Sequence, residues 1–281
     1  MESIRELREK ISKSSVAHFA PAHDKVVRRI SIYFTWLLLH TPLSANALTI
    51  LQTIVGAAGA ILLISPEYLT NLLGIFLLQF GYVLDCCDGE VARYRKQASV
   101  NGVFLDLIGH EIVIPFMYMG LALGEYLRTA HFEVLLLGFT TALFSLRFDI
   151  SAMFQTVNTL FMKAENPSYN FDSLQKDTIT TTTHLATSKP SWFRVLFRYP
   201  ESMNVITILL IADIFFPVDL LGGYTFIYFF LLCYGILVPL ARLYSIYSIF
   251  SKSDVAKRYS EILKRSVLHQ KDAHKSPDTN R

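Results

Sequence analysis

Long apolar stretches alternate with short polar connections along most of this 281-residue chain. Six of them are long enough to cross the hydrocarbon layer of a bilayer, which is roughly 30 Å thick and needs about 20 helical residues. The pattern therefore predicts an all-α integral membrane protein, a bundle of six transmembrane helices. The predicted spans cover approximately residues 44 to 64, 68 to 88, 103 to 125, 131 to 154, 203 to 223 and 224 to 250.

Amphipathic segments flank the predicted spans on both sides. Apolar residues recur there at three- and four-residue steps, which places them on one face of a helix. We interpret these segments as helices in the plane of the membrane interface, with Lys and Arg toward anionic headgroups. A solvated helix is the alternative for residues 1 to 20. The recurring residues are Ile4, Leu7 and Ile11, then Ile30, Tyr33, Trp36 and Leu37, and finally Val255, Tyr259 and Ile262.

The pattern divides the chain into three regions. Residues 1 to 43 form an amphipathic juxtamembrane region, 44 to 250 the six-span domain, and 251 to 281 a terminal helix with a polar tail. The long connection of residues 163 to 202 is predicted to be a lid or a disordered linker rather than a folded domain. No cleavable leader is expected, because residues 1 to 29 are polar and carry seven Lys or Arg.

The basic residues predict how the protein is oriented in the membrane. Of the 26 Lys and Arg, 23 fall in the termini, between spans two and three, or between spans four and five. Cytoplasmic flanks of transmembrane helices collect positive charge. We therefore expect both termini and these two connections to face the cytoplasm, together with any site beside them.

Composition excludes several other classes of protein. Hydrophobic residues make up 52% of the chain and charged residues 17%, which excludes a soluble globular protein. Three Cys, of which Cys86 and Cys87 are adjacent, give neither a disulfide framework nor a CxxC metal spacing. We expect membrane lipid as a partner and no nucleic acid.

Ionisable residues interrupt the second and third predicted spans. Such residues cost several kcal/mol inside a membrane and usually mark a functional site. Asp85 and Asp88 are three apart, on one helical face, and Asp106 and His110, four apart, share a face of the next helix. Only the short loop from Gly89 to Asn101 joins these helices, so we expect them to be antiparallel neighbours. The four side chains should then converge near the cytoplasmic face.

This group of side chains is predicted to bind a metal. Clustered carboxylates repel one another unless a cation neutralises them, and hard oxygen ligands favour Mg²⁺ or Mn²⁺, which bridge to substrate phosphates. Gly89 and Ala92 leave room for a ligand, and Arg93 offers a planar fork suited to phosphate. Together they suggest a bound pyrophosphate. The alternative, a structural ion network, would not need Gly, Ala and Arg at these offsets.

In this arrangement the chain resembles the CDP-alcohol phosphotransferases, also called CDP-alcohol phosphatidyltransferases. Their signature is D-x-x-D-G-x-x-A-R, eight residues, then G-x-x-x-D-x-x-x-D, and the chain matches every position but the last. The resemblance covers most of residues 28 to 250. A weaker one relates the stretch from Ser44 to Thr49 to the P-N-x-x-T segment of the first span, with Ala45 in place of proline. The matching signature residues are Asp85, Asp88, Gly89, Ala92, Arg93, Gly102 and Asp106.

The resemblance implies a reaction and a role for each position of the signature and of the weaker P-N-x-x-T likeness. The reaction is transfer of a substituted phosphoryl group from a CDP-linked donor to an alcohol acceptor, with release of CMP, in phospholipid or related lipid biosynthesis. Two divalent cations, Mg²⁺ or Mn²⁺, would take part. The implied metal ligands are Asp85, Asp88, Asp106 and His110; the implied donor-binding residues are Gly89, Ala92, Arg93, Gly102 and Asn46; and the implied catalytic residues are His110 and Asp106.

The last signature position departs from the family. An aspartate there is thought to hold a metal and to accept the proton of the attacking hydroxyl, whereas this chain has His110, followed by Glu111. An imidazole, with an unperturbed pKa of about 6.5, can act as a base or bind a metal, but it cannot bridge two metals as a carboxylate does. Glu111 lies about 100° further around a helix. Three interpretations stand: His110 is the base or a ligand, Glu111 substitutes for it, or the chain does not catalyse this reaction.

Two other functional classes fit a six-span bundle with intramembrane charge. One is an ion-coupled transporter, but the acidic residues cluster at one membrane face and no inverted repeat is evident. The other is a family member that binds nucleotide or lipid without turnover, because His110 breaks the signature.

Further polar and small residues lie within the predicted spans. Arg147 and Arg242 are predicted either to grip a substrate phosphate or to pair with acids, and Asp213 to have a structural partner. Gly120 and Gly124 permit close helix packing. We expect that packing to be within the bundle, with a homodimer contact as the alternative.

Overall fold

The computed structural model describes residues 4–13, 22–163, 199–216 and 223–260, and within these ranges the fold is all-α, without a strand. Residues 254–260 are helical in addition to the named elements. The named helices are α1 (Ile4–Lys13), α2 (Ala22–Leu38), α3 (Ala45–Leu62), α4 (Tyr68–Tyr94), α5 (Val100–Thr129), α6 (Glu133–Ser145), α7 (Phe148–Lys163), α8 (Tyr199–Phe215) and α9 (Phe226–Ser251).

Five helical stretches in the described part of the chain are long and apolar enough to cross a membrane. They coincide with five of the six predicted spans. The span predicted at 203 to 223 stays a prediction, because its described part is α8, which ends at Phe215. The long connection and the polar tail lie largely outside the described residues. The five stretches are Ala45–Leu62, Tyr68–Tyr94, Val100–Thr129, Glu133–Asn158 and Phe226–Ser251.

The described residues cluster into two compact units. Those up to Leu146, together with those from 199 to Pro239, form the first unit, and those from Arg147 to 163, together with those beyond Pro239, form the second. Pro239 lies inside α9, where its ring removes a helical hydrogen bond. The signature residues all lie in the first unit, which is therefore the one that builds the candidate site.

The fourth predicted span is interrupted. Leu146 has ψ 138°, outside the helical range, and the exposed Arg147 lies between α6 and α7. Asp149 consequently falls in the first turn of α7, where the helix dipole favours a carboxylate. Its oxygens accept hydrogen bonds from Arg242 Nη1 at 2.7 Å and from Ser245 Oγ at 2.6 Å. Of the two roles predicted for Arg242, the structure therefore supports ion pairing.

Glycines let α3 pack closely against two helices of the first unit. A Cβ added to Gly59 of α3 would lie 2.6 Å from the carbonyl oxygen of Gly74 on α4, and one added to Gly109 of α5 would lie 2.5 Å from Thr53 Oγ1. α3 thus packs on both α4 and α5, whereas backbone contact between α4 and α5 is sparse. The second and third spans meet instead through side chains, Asp85 of α4 with Asp106 and His110 of α5. They are therefore neighbours at the candidate site, as expected, although α3 is the main packing partner of each.

The predicted small-residue pattern also serves this packing. A Cβ at Gly120 would overlap the carbonyl oxygen of Ala60, and one at Gly124 would overlap that of Leu63. Both carbonyls belong to α3 or its end, so these glycines pack within the bundle, as expected.

The first two helices pack together beside the bundle. Leu7 and Ile11 of α1 are buried against Ile32 of α2, while Ile30 and Tyr33 are exposed on another face of α2. An exposed apolar face suits the predicted position in the membrane interface, which stays a prediction. A third face of α2 is polar, buried and directed at α4.

Two buried carboxylates stabilise the first unit at the end that is far from the signature residues. Asp213 accepts hydrogen bonds from the backbone N–H groups of Phe226 at 2.6 Å and Ile227 at 3.2 Å, and so caps α9. Glu125 is fully buried and accepts from Thr225 Oγ1 and from Arg128 Nη1. The prediction of a structural partner for Asp213 is confirmed.

Candidate active site

The ends of α4 and α5 bring three signature side chains together. One ligand atom each from Asp85, Asp106 and His110 lies within 4.8 Å of the other two. Asp106 Oδ1 is 3.3 Å from His110 Nδ1, and Asp85 Oδ1 is 3.9 Å from His110 Nε2. All three residues are partly buried. The imidazole therefore lies between two carboxylates.

The contacts of the imidazole favour one tautomer of the neutral ring. His110 Nδ1 lies 3.1 Å from the carbonyl oxygen of Asp106. A carbonyl oxygen can only accept, so the neutral ring places its hydrogen on Nδ1 and leaves a lone pair on Nε2. The ring of Tyr199 meets the imidazole edge-on with centroids 5.9 Å apart. These contacts fix the ring so that its basic nitrogen faces Asp85.

The remaining aspartate of the signature is held by the first span. Asp88 is buried, and its Oδ2 accepts a hydrogen bond from Thr49 Oγ1 of α3 at 2.5 Å. It is not one of the three residues whose ligand atoms cluster. Thr49 is the last residue of the stretch that resembles P-N-x-x-T. Its hydrogen bond to Asp88 therefore joins that stretch to the D-x-x-D-G-x-x-A-R signature.

The small signature residues pack against protein atoms. A Cβ added to Gly89 would lie 3.2 Å from Arg93 Nη1, so Gly89 makes room for the guanidinium group. Arg93 Nε is buried and has no hydrogen-bond partner within the described residues. Ala92 packs against a small apolar cluster formed by Ala45, Leu48 and Val91. The signature segment is helical throughout, since α4 continues to Tyr94; the predicted loop from Gly89 is reduced to residues 95–99.

Gly102 and Asn46 meet where α5 and α3 begin. A Cβ at Gly102 would lie 3.1 Å from Asn46 Oδ1, and the backbone N–H of Gly102 donates to Ser99 Oγ at 3.1 Å. Ser99 thereby caps α5. Two of the five residues predicted to bind the donor thus lie close together, with Asn46 exposed.

Glu111 is partly buried and does not belong to the group of Asp85, Asp106 and His110. This agrees with its position about 100° around the helix from His110. The arrangement therefore favours the imidazole, rather than the neighbouring carboxylate, as the fourth functional group.

Several residues at this site were not predicted from the sequence. Gln52 is buried, and its Nε2 has no hydrogen-bond partner in the described part of the chain. Glu90, at an unspecified position of the signature, is buried with hydroxyl partners on α2. A small pocket beside the three-residue group is lined by Gln52, Thr53, Gly56, Gly81, Tyr82, Asp85, Gly109, His110, Val113 and Tyr199. The signal for Gln52 and Glu90 was their polarity within apolar stretches.

The donor set at this site fits a divalent cation. Two carboxylates and an imidazole offer the oxygen and nitrogen ligands that such ions take in proteins. Among the described residues, Asp106 Oδ1 has no hydrogen-bond partner of good geometry, and His110 Nδ1 lies 3.3 Å from it, so this oxygen remains available to a cation. The residues present therefore suit a metal.

Comparison with known proteins relates these residues to one family. The family model for CDP-alcohol phosphatidyltransferase matches residues 42–186. A bifunctional IPC transferase and DIPP synthase of Rubrobacter xylanophilus is 37% identical over 93 residues, 33% of this chain and 21% of that protein. The protein of the same name from Archaeoglobus fulgidus is 29% identical over 106 residues, 38% of this chain and 20% of that protein. The match thus spans about a fifth of each relative's length.

A solved membrane-enzyme structure shares the fold. The crystal structure of phosphatidylinositol phosphate synthase from Mycobacterium tuberculosis, with CDP-DAG bound, matches with a TM-score of 0.50 and 18% identity. The match covers 78% of this chain and 94% of that one. At this sequence identity the similarity concerns the fold alone. Together with the five apolar helical stretches, it shows that the chain is an integral membrane protein.

Proposed function

Because the chain belongs to the CDP-alcohol phosphatidyltransferase family, we propose that it transfers a substituted phosphoryl group from a CDP-linked donor to an alcohol acceptor, with release of CMP, in lipid synthesis. The observation that carries this proposal is the convergence of Asp85, Asp106 and His110 from two helices. The family match supplies the reaction class, and the convergence supplies a centre able to perform it.

The reaction is a displacement at the β-phosphorus of the donor. The hydroxyl oxygen of the acceptor forms a new bond to this phosphorus, and the bond between the phosphorus and the bridging oxygen breaks. CMP leaves with that electron pair, and the hydroxyl proton must be taken up by a base. Little covalent chemistry falls to the protein, so positioning and charge stabilisation dominate.

In this proposal His110 is the base that takes up the proton of the acceptor hydroxyl. With Nδ1 donating to the Asp106 carbonyl oxygen, the lone pair on Nε2 can accept the acceptor's proton. Once protonated, the imidazolium lies between the carboxylates of Asp85 and Asp106, which stabilise its charge. This is the role that an aspartate is thought to have at the same position of the family signature.

In this proposal the aspartate carboxylates bind the metal. The lone pair on His110 Nε2 cannot bind a cation and take up a proton in the same step. Asp85 and Asp106 would hold a first divalent cation, Mg²⁺ or Mn²⁺, and Asp88 is the candidate ligand for a second. Bound there, the cation would neutralise the donor pyrophosphate and stabilise CMP as a leaving group. Arg93, whose Nε is buried without a partner among the described residues, would bind a donor phosphate.

The site is proposed to face the cytoplasm, where the basic connections are expected. The nucleotide and the water-soluble partner would then arrive from the cytoplasm, and the lipidic partner would enter sideways between helices. Lys176 and Lys189 offer a test, since both belong to the connection between the fourth and fifth predicted spans. They should react with an impermeant amine reagent only after the cytoplasmic face is opened. Labelling of either lysine in intact cells would reverse the assigned orientation.

Purified protein should release CMP only when donor, acceptor and a divalent cation are all present. CDP-diacylglycerol with polar alcohols, and CDP-linked headgroups with diacylglycerol, should be tested separately because the same centre serves both. Release from one pair alone identifies which partner carries the CDP. Donor binding without CMP release from any pair would instead support a nucleotide- or lipid-binding protein, the role that the departure at His110 makes the second candidate.

A further inference from the structure

Glu90 lies in the middle of the signature segment, Asp85 to Arg93, yet its side chain points to a different helix. It is 3% exposed. Its Oε1 accepts a hydrogen bond from Ser31 Oγ at 2.8 Å, and its Oε2 accepts one from Thr35 Oγ1 at 2.6 Å. Both hydroxyl residues belong to α2 and are fully buried. Both carboxylate oxygens are thus used to bind α2.

A carboxylate at this position requires a physical reason. Burying a charged or polar group is costly unless its hydrogen bonds are satisfied, and packing alone would be met by an apolar residue of similar size. Hydrogen bonds to a carboxylate are stronger than those between neutral groups and impose a direction. The two hydroxyl groups lie one helical turn apart on α2. Their hydrogen bonds to Glu90 therefore restrict both sliding of α2 along its axis and rotation of α2 about its axis, relative to this turn of α4.

A second contact joins the chain just beyond the ends of the same two helices. The guanidinium group of Arg95 donates to the carbonyl oxygens of Thr41 at 2.7 Å and Leu39 at 3.3 Å, in the segment after α2, and it also contacts the carbonyl oxygen of Leu43. Between the two contacts, Val91 packs against Ala45 and Leu48. The end of α4 that carries Gly89 and Arg93 is thus held at two points, Glu90 and Arg95, against α2 and the segment that follows it.

We propose that Glu90 is a positioning residue, which docks α2 through Ser31 and Thr35 and thereby sets the orientation of the signature turn that receives the donor pyrophosphate. The adjacent residue Gly89 and the guanidinium of Arg93 pack on each other, so rotation of this turn would displace the guanidinium group. The inference rests on the proposed function, because it concerns binding of the donor at that site. It makes α2 part of the donor site rather than only a membrane anchor.

The test first removes the two hydroxyl groups that donate hydrogen bonds to Glu90, and then removes the carboxylate that accepts them. The double variant Ser31→Ala/Thr35→Val leaves the carboxylate of Glu90 buried without partners, so it should bind the CDP donor about tenfold more weakly than wild type, with faster hydrogen exchange in α2. Adding Glu90→Leu makes the contact apolar on both sides, which is nearly neutral in such cases. The triple variant should therefore regain donor affinity to within about threefold of wild type. Donor affinity is measured by calorimetry with CDP-diacylglycerol in detergent, independently of turnover.

Two further variants separate positioning from general stability. Glu125→Gln alters another buried carboxylate that accepts two hydrogen bonds, and it should lower thermal stability without changing donor affinity. Thr35→Ser keeps the hydroxyl and should behave as wild type, whereas Thr35→Val should not; this pair carries the test if the double variant fails to fold.

Each result decides the matter. Weaker donor binding in the double variant with recovery in the triple variant supports the positioning role. Unchanged donor affinity in the double variant, or a triple variant as weak as the double, would overturn it, the latter because Glu90 would then act on the donor directly. If the wild-type protein bound no CDP donor, the proposed function itself would be wrong. That result differs from both outcomes for the variants.

Discussion

Replacing Asp85 or Asp106 by Asn should abolish turnover while leaving the fold intact. Asparagine has nearly the same shape as aspartate but lacks the charge that attracts a divalent cation. Loss of metal-dependent stabilisation of the transferred phosphoryl group should cost about a thousandfold in rate, which corresponds to about 4 kcal/mol. Stability without metal should be unchanged or higher, because each substitution removes repulsion within the group. Asp88→Asn should also lose activity, through the second metal position.

Metal binding gives a readout that does not depend on catalysis. Wild-type melting temperature should rise on titration with Mg²⁺ or Mn²⁺, and the Asp85 and Asp106 variants should not respond. Asp213→Asn is a matched control, since Asp213 is a buried aspartate that caps α9. It lies roughly 21 Å along α8 from Tyr199. That variant should lose stability but keep its response to metal. Wild-type activity in all three site variants would show that the metal assignment is wrong.

His110→Ala should lose activity by about a hundredfold or more, the usual contribution of a positioned general base. His110→Asp restores the family signature and should retain part of the activity. Protonation of Nε2 removes the lone pair that accepts the proton, so the wild-type enzyme should lose activity on acidification at a higher pH than the His110→Asp variant. Rates are compared across pH at saturating donor and metal.

Glu111→Gln is the matched control for His110, because Glu111 is the next residue along α5 and lies outside the clustered group. It should turn over at close to the wild-type rate. An inactive Glu111→Gln enzyme beside a normal His110→Ala enzyme would transfer the fourth functional role to the carboxylate. If both variants turned over normally, the base would have to come from elsewhere in the chain.

The candidate site was predictable from the sequence because its chemistry is local. The intervals between Asp85, Asp106 and His110 place each side chain on a defined helical face, and a short connection brings the two helix ends together. What the intervals could not specify is the packing partner of each helix. Glycines at positions 59 and 109 favour α3 as the partner of both α4 and α5, and backbone proximity of this kind leaves little periodic signal.

Contacts between distant segments account for the other differences. Glu90 finds its partners 59 and 55 residues away, at Ser31 and Thr35, and no local pattern relates them. The break at Leu146 also went unpredicted, because no Gly or Pro stands there and the stretches on both sides of it are largely apolar. Asp213 was assigned a structural partner correctly from its position nearer the outer half of the membrane, although its partners, two backbone N–H groups, could be identified only in the folded chain.

Whether this protein catalyses the transfer is decided by the joint yield of CMP and phosphoryl-transfer product from purified protein supplied with a CDP-linked donor, an alcohol and Mg²⁺. Equal amounts of the two products are expected, and both should be abolished by a chelator and by Asp106→Asn. CMP formed without transfer product, products formed in the presence of chelator, or undiminished yields from the Asp106→Asn protein would contradict the proposed function.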